Sequence, residues 1–510
     1  MKNTILKFAA LMLVAMAIFW ACKSKEQTSG YLPLDVDPTC VVVPETFDTW
    51  FASGKATENG AVNPVNSVNF GHKNNCEFYQ WSEQMFLWLT SKGDGSYGDG
   101  KRVFESPVFY TVSPEDALGK RILISHRKGL LLSAVPSLEK SVGLDSEQGQ
   151  ATGDALMSKD GSIVYYITMV NNVYAQFLTA VKSGKMSGKQ FPTTQPALDS
   201  IIAYAKTNHV ALPDADALAM EIKSSWVDAA TVKDLSSYIV IDAMIPTYTK
   251  TATKWTITGQ VKAKLAMIGL HIVASTAGHP EMVWSTFEHK DVAPNLSYTY
   301  VDTKGNVKTV KADTHKQWTL NSNPSDTTEA DINISHMKFE GDSIYANFKG
   351  APTGNTVSPS NSTRTKPWGV AYSGQPNSEN NTAAASNSQV ISINNSIHSL
   401  LKGNDIRKNY IFIGSTWTDS GTAPDGTSFS VTNSQKGTAI GTSQLANTTM
   451  ETYIQNGTGY NKNGSCFYCH HDFAKTGPTL NPGELSHVFG DILPLTANSN
   501  WKGSILSPKQ

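Results

Sequence analysis

The sequence has little charge and no long apolar run beyond its first residues. Only 17% of its 510 residues are charged, and 42 basic residues against 43 acidic ones give a formal net charge of −1. Because nucleic-acid binding relies on a basic excess that neutralises phosphates, nucleic acid is not an expected partner. Past the N-terminal stretch, no apolar run reaches the roughly 18 residues that indicate a spanning helix. The longest is Leu265 to Ala274, so we expect a folded body rather than a bundle of membrane helices.

The N-terminus has the pattern of an export signal. Lys2 and Lys7 precede an uncharged stretch that ends at Trp20 and is too short to span a bilayer. Cys22 follows closely, and the arrangement resembles the lipobox of bacterial lipoproteins. The resemblance implies a signal peptide over residues 1–21, acylation of Cys22, and export to a bacterial membrane, most simply the outer membrane on its periplasmic or cell-surface side. An ordinary cleaved signal is the alternative.

Two further cysteines, Cys40 and Cys76, have no motif of their own. In an exported protein such a pair is most simply a disulfide. A redox-active pair is the alternative, but it usually has the close C-x-x-C spacing that these residues lack. We therefore predict a structural disulfide.

The last two cysteines belong to a chemical motif. Cys466, Cys469 and His470 form C-x-x-C-H, the attachment signature of c-type haem. In that chemistry both thiols form thioethers with the haem, and the histidine becomes the proximal iron ligand. A thioredoxin-like pair would need a βαβ context, and half a zinc site would need a second ligand pair nearby. We predict one covalently bound haem c and interpret His471 as incidental.

The sixth iron ligand is not evident near the motif. No methionine follows His470, and the nearest one upstream is Met450. The distal candidates are His487, or one of two strand histidines brought from far upstream, His271 and His289; an open site is the remaining possibility. A lone histidine on a strand is more often a satisfied core residue than a ligand. We nevertheless predict a low-spin haem with a second histidine ligand.

Apolar patterning predicts an α+β fold with a mainly antiparallel β core, packed helices and long Ser/Thr/Asn-rich loops. Period-two alternation predicts a long strand from Trp255 that is buried on both faces beyond Ala266, with His271 pointing inward. A second strand, 282–289, should pair antiparallel to it. Helical spacing predicts a helix over 75–90, and a shorter helix is predicted over 447–455.

The same patterning suggests a division of the mature chain into regions. The N-terminal helix and strand region with the disulfide covers 22–150, and a β-rich core region covers 151–350. Residues 351–389 are interpreted as a surface loop or linker because they are rich in Asn, Ser, Thr, Gly and Pro. Residues 390–510 form the C-terminal segment that carries the haem motif.

Six segments resemble a family of large exported bacterial proteins labelled as cytochrome c family. They are SIVYYITMVNN (162–172), MEIKSSW (220–226), GLHIVASTAGHPEMVWSTFEH (269–289), NYIFIGSTW (409–417), LANTTMETYIQ (445–455) and CFYCH (466–470). The resemblance implies a single-haem protein in which Cys466, Cys469 and His470 bind haem, and in which the large preceding portion is integral to the fold. His271 and His289 stand at the family's own histidine positions.

Three functions are compatible with this sequence. The first is a membrane-anchored cytochrome that transfers electrons, or a redox subunit, with another exported redox protein as partner. The second is a haem enzyme, an oxidoreductase acting on peroxide or another small molecule, with His271, His289 and Glu288 as its clustered acid–base candidates. The third is a non-catalytic haem sensor or binding lipoprotein.

Overall fold

Fourteen strands and the helices around them define the architecture of the computed structural model. It describes residues 32–93, 97, 101–126, 131–134, 155–314, 318–321, 336–347, 354–365, 367–369, 381–426, 428, 430, 436–451, 466–470 and 478–495. The strands are β1 (Phe109–Val112), β2 (Leu123–Ser125), β3 (Leu132–Ser133), β4 (Tyr165–Asn171), β5 (Met220–Asp228), β6 (Val240–Lys250), β7 (Lys254–Thr276), β8 (His279–His289), β9 (Tyr298–Val301), β10 (Val307–Val310), β11 (Lys338–Glu340), β12 (Ser343–Tyr345), β13 (Tyr410–Thr418) and β14 (Ala439–Gly441). The helices are α1 (Pro44–Trp50), α2 (Asn75–Thr90), α3 (Asn172–Lys182), α4 (Gln195–Thr207), α5 (Asn381–Leu400), α6 (Cys466–Cys469) and α7 (Pro482–Leu485).

Most strands join one sheet, whose main path runs β14-β13-β8-β7-β5-β4-β1-β2. Strand β7 also pairs with β6 and β12 along its first half, and β3 adds to β6. Every pairing along the main path is antiparallel, and the short β3–β6 contact is parallel. The predicted α+β class with a mainly antiparallel core is therefore confirmed. Strands from before 150 and after 390 share this sheet with the predicted core region, so the predicted regions are not separate sheets.

The two faces of the sheet bury different parts of the chain. Directly paired residues of antiparallel strands point to the same face. Lys223 of β5 is paired with His271 of β7, and Trp284 of β8 belongs to the same face through its pairing with Val273. We call this side the motif face. The opposite side, which contains Ile272 and Phe287, is the helix face.

Helix α2 packs on the helix face. The Asn74 side chain accepts from the Glu77 amide and the Glu77 carboxylate caps the start of the helix, a capping box that fixes where α2 begins. Phe86 stacks on Phe287 at 4.3 Å between ring centroids, and Ser82 shares a hydrogen bond with the β8 strand. The predicted helix over 75–90 is confirmed to the residue, because its capping signal and apolar spacing are both local.

Helix α5 lies on the same face and corrects the sequence prediction. It begins at Asn381, inside the segment interpreted as a loop. Its polar side chains bond backbone groups inside the protein: Asn394 accepts from the amide of Phe412 and donates to its carbonyl, both at 2.8 Å, and Ser392 accepts from the amide of Cys40. Low hydropathy therefore does not indicate exposure in this helix.

The segment around residues 360–364 is a second correction to the predicted surface loop. Residues Ser360 to Arg364 are buried, and Arg364 is fully enclosed. Its guanidinium forms a buried ion pair with Glu288 of β8 and donates to the Asn295 side chain at 2.5 Å. A buried cation needs such partners, so this stretch is built into the core.

The motif face is covered by α3 and by the chain after β14. Phe177 of α3 contacts Phe489, and Tyr174 bonds Ser486, so α3 and the C-terminal residues share one apolar cluster.

The predicted helix over 447–455 is wrong at its start, because 447–451 forms one hydrogen-bonded turn rather than a helix. Residues 452–455 lie outside the described residues. In the described ranges, no helix is both long and apolar enough to cross a membrane.

Candidate functional site

Helix α6 carries the C-x-x-C-H motif, and His470 follows it directly. The His470 amide donates to the carbonyl of Cys466 at 3.0 Å, which closes the turn. The ring Nδ1 lies 2.9 Å from the carbonyl oxygen of Leu485 in α7. A carbonyl only accepts, so Nδ1 carries the hydrogen and Nε2 keeps its lone pair. The side chain of Cys469 lies outside the described part of the structure.

Apolar contacts enclose the start of the motif. Phe467 is buried, and its ring lies 5.8 Å from that of Trp284 on the motif face. The Trp284 ring also lies 4.2 Å from the His470 ring. Burial, together with the neighbouring His487, lowers the pKa of His470 well below its usual value, despite the opposing bond to Leu485. His470 is therefore neutral at pH 7, which is the form that binds metals.

The turn at 447–451 lies directly on the sheet beneath this region. Asn447 donates to the Thr286 hydroxyl at 2.8 Å, and the Thr449 hydroxyl bonds Ser225 at 2.6 Å. The approach is close because Gly269 has no side chain: a Cβ there would lie 2.6 Å from the Thr449 hydroxyl oxygen. A glycine at this strand position thus allows the turn to dock.

This turn brings Glu451 to His271. The His271 Nε2 lies 2.9 Å from one carboxylate oxygen of Glu451 and 3.1 Å from the other. Burial opposes ionisation of Glu451, but His271, Lys223 and a backbone hydrogen bond outweigh it and hold the carboxyl pKa below its usual value. Glu451 is therefore an anion. Burial raises the pKa of the Cys466 thiol, and the negative charge of Glu451 raises it further.

His271 is one of two distal candidates that the structure brings close to the motif. His271 and Lys223 both lie near enough to His470 to contribute to its lowered pKa. The side chain is 17% exposed, so it is not the deeply buried residue that the strand pattern predicted. It points to the motif face, where the neighbouring positions of β7 are buried.

His487 is the second distal candidate near the motif. Its ring is stacked on that of His470, with centroids 3.9 Å apart and an interplanar angle of 15°. Two histidines that bind opposite sides of one metal ion face each other through nitrogen atoms along a line. A stacked ring lies face to face with its neighbour instead. His487 therefore packs against the ring of His470, the predicted proximal ligand, and does not point its nitrogen at the opposite side of a shared metal ion.

His289 is not brought to the motif. It points to the helix face, where its ring stacks on Tyr238 at 3.8 Å. Its Nε2 lies 3.1 Å from the carbonyl of Ser237, and the Asp291 amide donates to Nδ1 at 3.3 Å. Burial lowers its pKa to about 4. Both ring nitrogens are used, so His289 is a satisfied core histidine, and the geometry removes it from the distal candidates.

Glu288 is also committed to structure. Besides the ion pair with Arg364, it accepts from the amide and the hydroxyl of Thr448 at 2.7 and 3.0 Å. A carboxylate with its oxygens occupied in this way fixes the turn on the sheet. It is not available as the acid–base group expected beside His289.

The predicted disulfide is confirmed, with Cys40 bonded to Cys76 at the start of α2. Cys22 lies outside the described residues. Comparisons with protein-family models, curated proteins and solved structures each find no match. The resemblance to exported cytochromes therefore stays a prediction that rests on the sequence segments.

The sequence did not indicate several residues that build the site. Leu485, Trp284 and Glu451 contact the motif or its neighbours from distant positions, and none has a motif of its own. One signal was available: Glu221 and Lys223 alternate with apolar residues on a strand, which places two charges on one face. Glu221 accepts from the Ser486 hydroxyl at 2.6 Å, beside His487.

Proposed function

We propose that this protein is an exported, lipid-anchored cytochrome with one covalent haem c, acting in electron transfer or as a redox subunit. The observation that carries the proposal is the hydrogen bond from His470 Nδ1 to Leu485. It fixes the tautomer and ring orientation and leaves the Nε2 lone pair for a metal that would bind there, as backbone carbonyls do for metal-binding histidines. A histidine in the C-x-x-C-H motif with this bond is prepared to serve as a proximal ligand.

The residues present fit the group. Cys466 is a free thiol and, with Cys469, would supply the covalent links, while His470 would bind the iron. The bound haem would supply one-electron chemistry. Trp284 and Phe467 would limit the access of water to a group held by His470, and the Leu485 carbonyl orients the His470 ring.

His271 is the distal ligand that we propose. Its Nε2 is engaged by Glu451, which leaves Nδ1 as the nitrogen that would face a metal. His271→Ala should convert a low-spin ferric spectrum to a high-spin one, whereas His487→Ala should leave the low-spin bands in place. An unchanged spectrum in His271→Ala would show that His271 is not the ligand.

A second function is favoured by the same pair. A histidine hydrogen-bonded to an anionic carboxylate beside a haem motif is an acid–base pair, as an enzyme acting on peroxide or another small molecule would need. A wild-type protein with a high-spin ferric spectrum and an open sixth site would favour this enzyme. A low-spin spectrum favours the electron carrier.

Membrane attachment is proposed through acylated Cys22. Cys22→Ala should release the protein from the membrane fraction while leaving its haem content unchanged. Retention of the variant in membranes would show that another segment anchors the chain.

A further inference from the structure

A second histidine cluster lies on the opposite side of the sheet from the haem motif. His72, in the loop before α2, and His279, the first residue of β8, approach with their Nε2 atoms 3.0 Å apart. The Nδ1 of His279 lies 2.7 Å from the carboxylate of Glu281. Since the carboxylate can only accept, Nδ1 carries the hydrogen, and Nε2 is the ring nitrogen that faces His72.

Aromatic rings hold the two imidazoles in place. Phe78 contacts His72 at 4.4 Å and His279 at 5.0 Å between ring centroids, and Phe70 stacks on His72 at 5.3 Å. His279 is buried, whereas His72 is only half-buried. The pair is therefore rigid on its inner side and open to solvent at His72.

The Glu281 carboxylate has hydrogen-bonding capacity that the described residues do not use. Glu281 is fully enclosed, and its ion-pair partner among the described residues is His279. One carboxylate oxygen accepts from His279 and from the Thr418 amide at 3.0 Å, and the other has no hydrogen-bond partner there. A cation bound to the histidine that this carboxylate contacts would stabilise the buried group.

The two imidazoles converge on one point, and their Nε2 atoms are close enough to share one metal ion. A carboxylate that orients a histidine from behind is the usual second layer of a metal site.

We propose that His72 and His279 bind a divalent transition metal ion, Zn²⁺ or Cu²⁺, through their Nε2 atoms, with Glu281 orienting His279. Imidazole nitrogen suits both ions. In the described ranges no three His, Cys, Asp or Glu side chains converge to hold a metal, and water that reaches the half-buried His72 would complete the coordination. The ion would connect the disulfide-linked loop before α2 to the start of β8.

The test uses the full chain, stripped with EDTA and dialysed against micromolar Zn²⁺, with zinc measured per protein by mass spectrometry. About one zinc ion should bind per wild-type chain, and binding should raise the thermal midpoint. His72→Gln should weaken binding at least tenfold, and Glu281→Gln should weaken it by roughly 10- to 100-fold, as the loss of an orienting partner does.

The control is His209→Asn, which removes an exposed histidine at a left-handed position that Asn tolerates. It should bind zinc as the wild type does. Zinc uptake by His72→Gln equal to that of the wild type would overturn the proposal. So would the absence of uptake by wild-type protein with an intact disulfide. The contact between the two histidines would then be a hydrogen bond only. Zinc is measured separately from haem iron, and the same measurement in a Cys466→Ala, Cys469→Ala background keeps the result independent of the motif and of the proposed cytochrome function.

Discussion

Glu83 provides a direct test of how burial controls the stability of this fold. It lies in the middle of α2, only 4% exposed, and burial raises its pKa to about 8 from an ordinary value of 4.5. Because the folded state holds the proton more tightly, the stabilising contribution is complete below pH 4.5 and is lost as the pH rises toward 8. At about 1.36 kcal/mol per pH unit, roughly 3 kcal/mol is lost between pH 4.5 and pH 7.

Glu83→Gln replaces the carboxyl with a neutral group of the same shape. Its free energy of unfolding should match that of the wild type near pH 4.5 and exceed it by about 3 kcal/mol at pH 7. Urea unfolding at pH 4.5, 7 and 8.5 measures the difference, and Glu45→Gln, at an exposed position of α1, is the matched control. A difference between Glu83→Gln and wild type that stays constant over this range would refute the reasoning.

Three further predictions concern the packing that positions the site. Replacing both Cys40 and Cys76 with Ser should lower the free energy of unfolding by about 4 kcal/mol, because the disulfide closes a loop of sequence separation 36. Urea unfolding measures this loss, and an unchanged free energy of unfolding would contradict the prediction. Asn394→Ala removes two bonds to the Phe412 backbone and should cost roughly 2–4 kcal/mol by the same assay, whereas a cost below 1 kcal/mol would show that water replaces the amide. Gly269→Ala should displace the 447–451 turn and alter the haem spectrum without preventing disulfide formation, and an unchanged spectrum would contradict the docking argument.

Local signals account for the parts of the fold that could be predicted. The capping box and apolar spacing of α2 lie within one segment, and the alternation of β7 continues over many residues, so both were predicted correctly. The beginning of α5 and the burial of Arg364 were missed because their polar side chains bond backbone and Glu288 far away in the sequence. Composition alone cannot distinguish such internal polar contacts from exposure.

The candidate site divides in the same way. The two cysteines and His470 could be predicted because their chemistry requires fixed spacing within five residues. The orienting Leu485 carbonyl and the pairing of His271 with Glu451 could not, because they depend on how distant segments meet on one face of the sheet.

Covalent haem content tests the central proposal most directly. A pyridine haemochrome spectrum of the purified exported protein, with intact-mass measurement of the same sample, should give one haem c per chain that resists extraction into acidified acetone. The Cys466→Ala, Cys469→Ala double variant should lose it while keeping the disulfide between Cys40 and Cys76. The control is a host cell that attaches haem c to its other exported proteins. Wild-type protein that is purified from this host and carries no covalent haem would contradict the account.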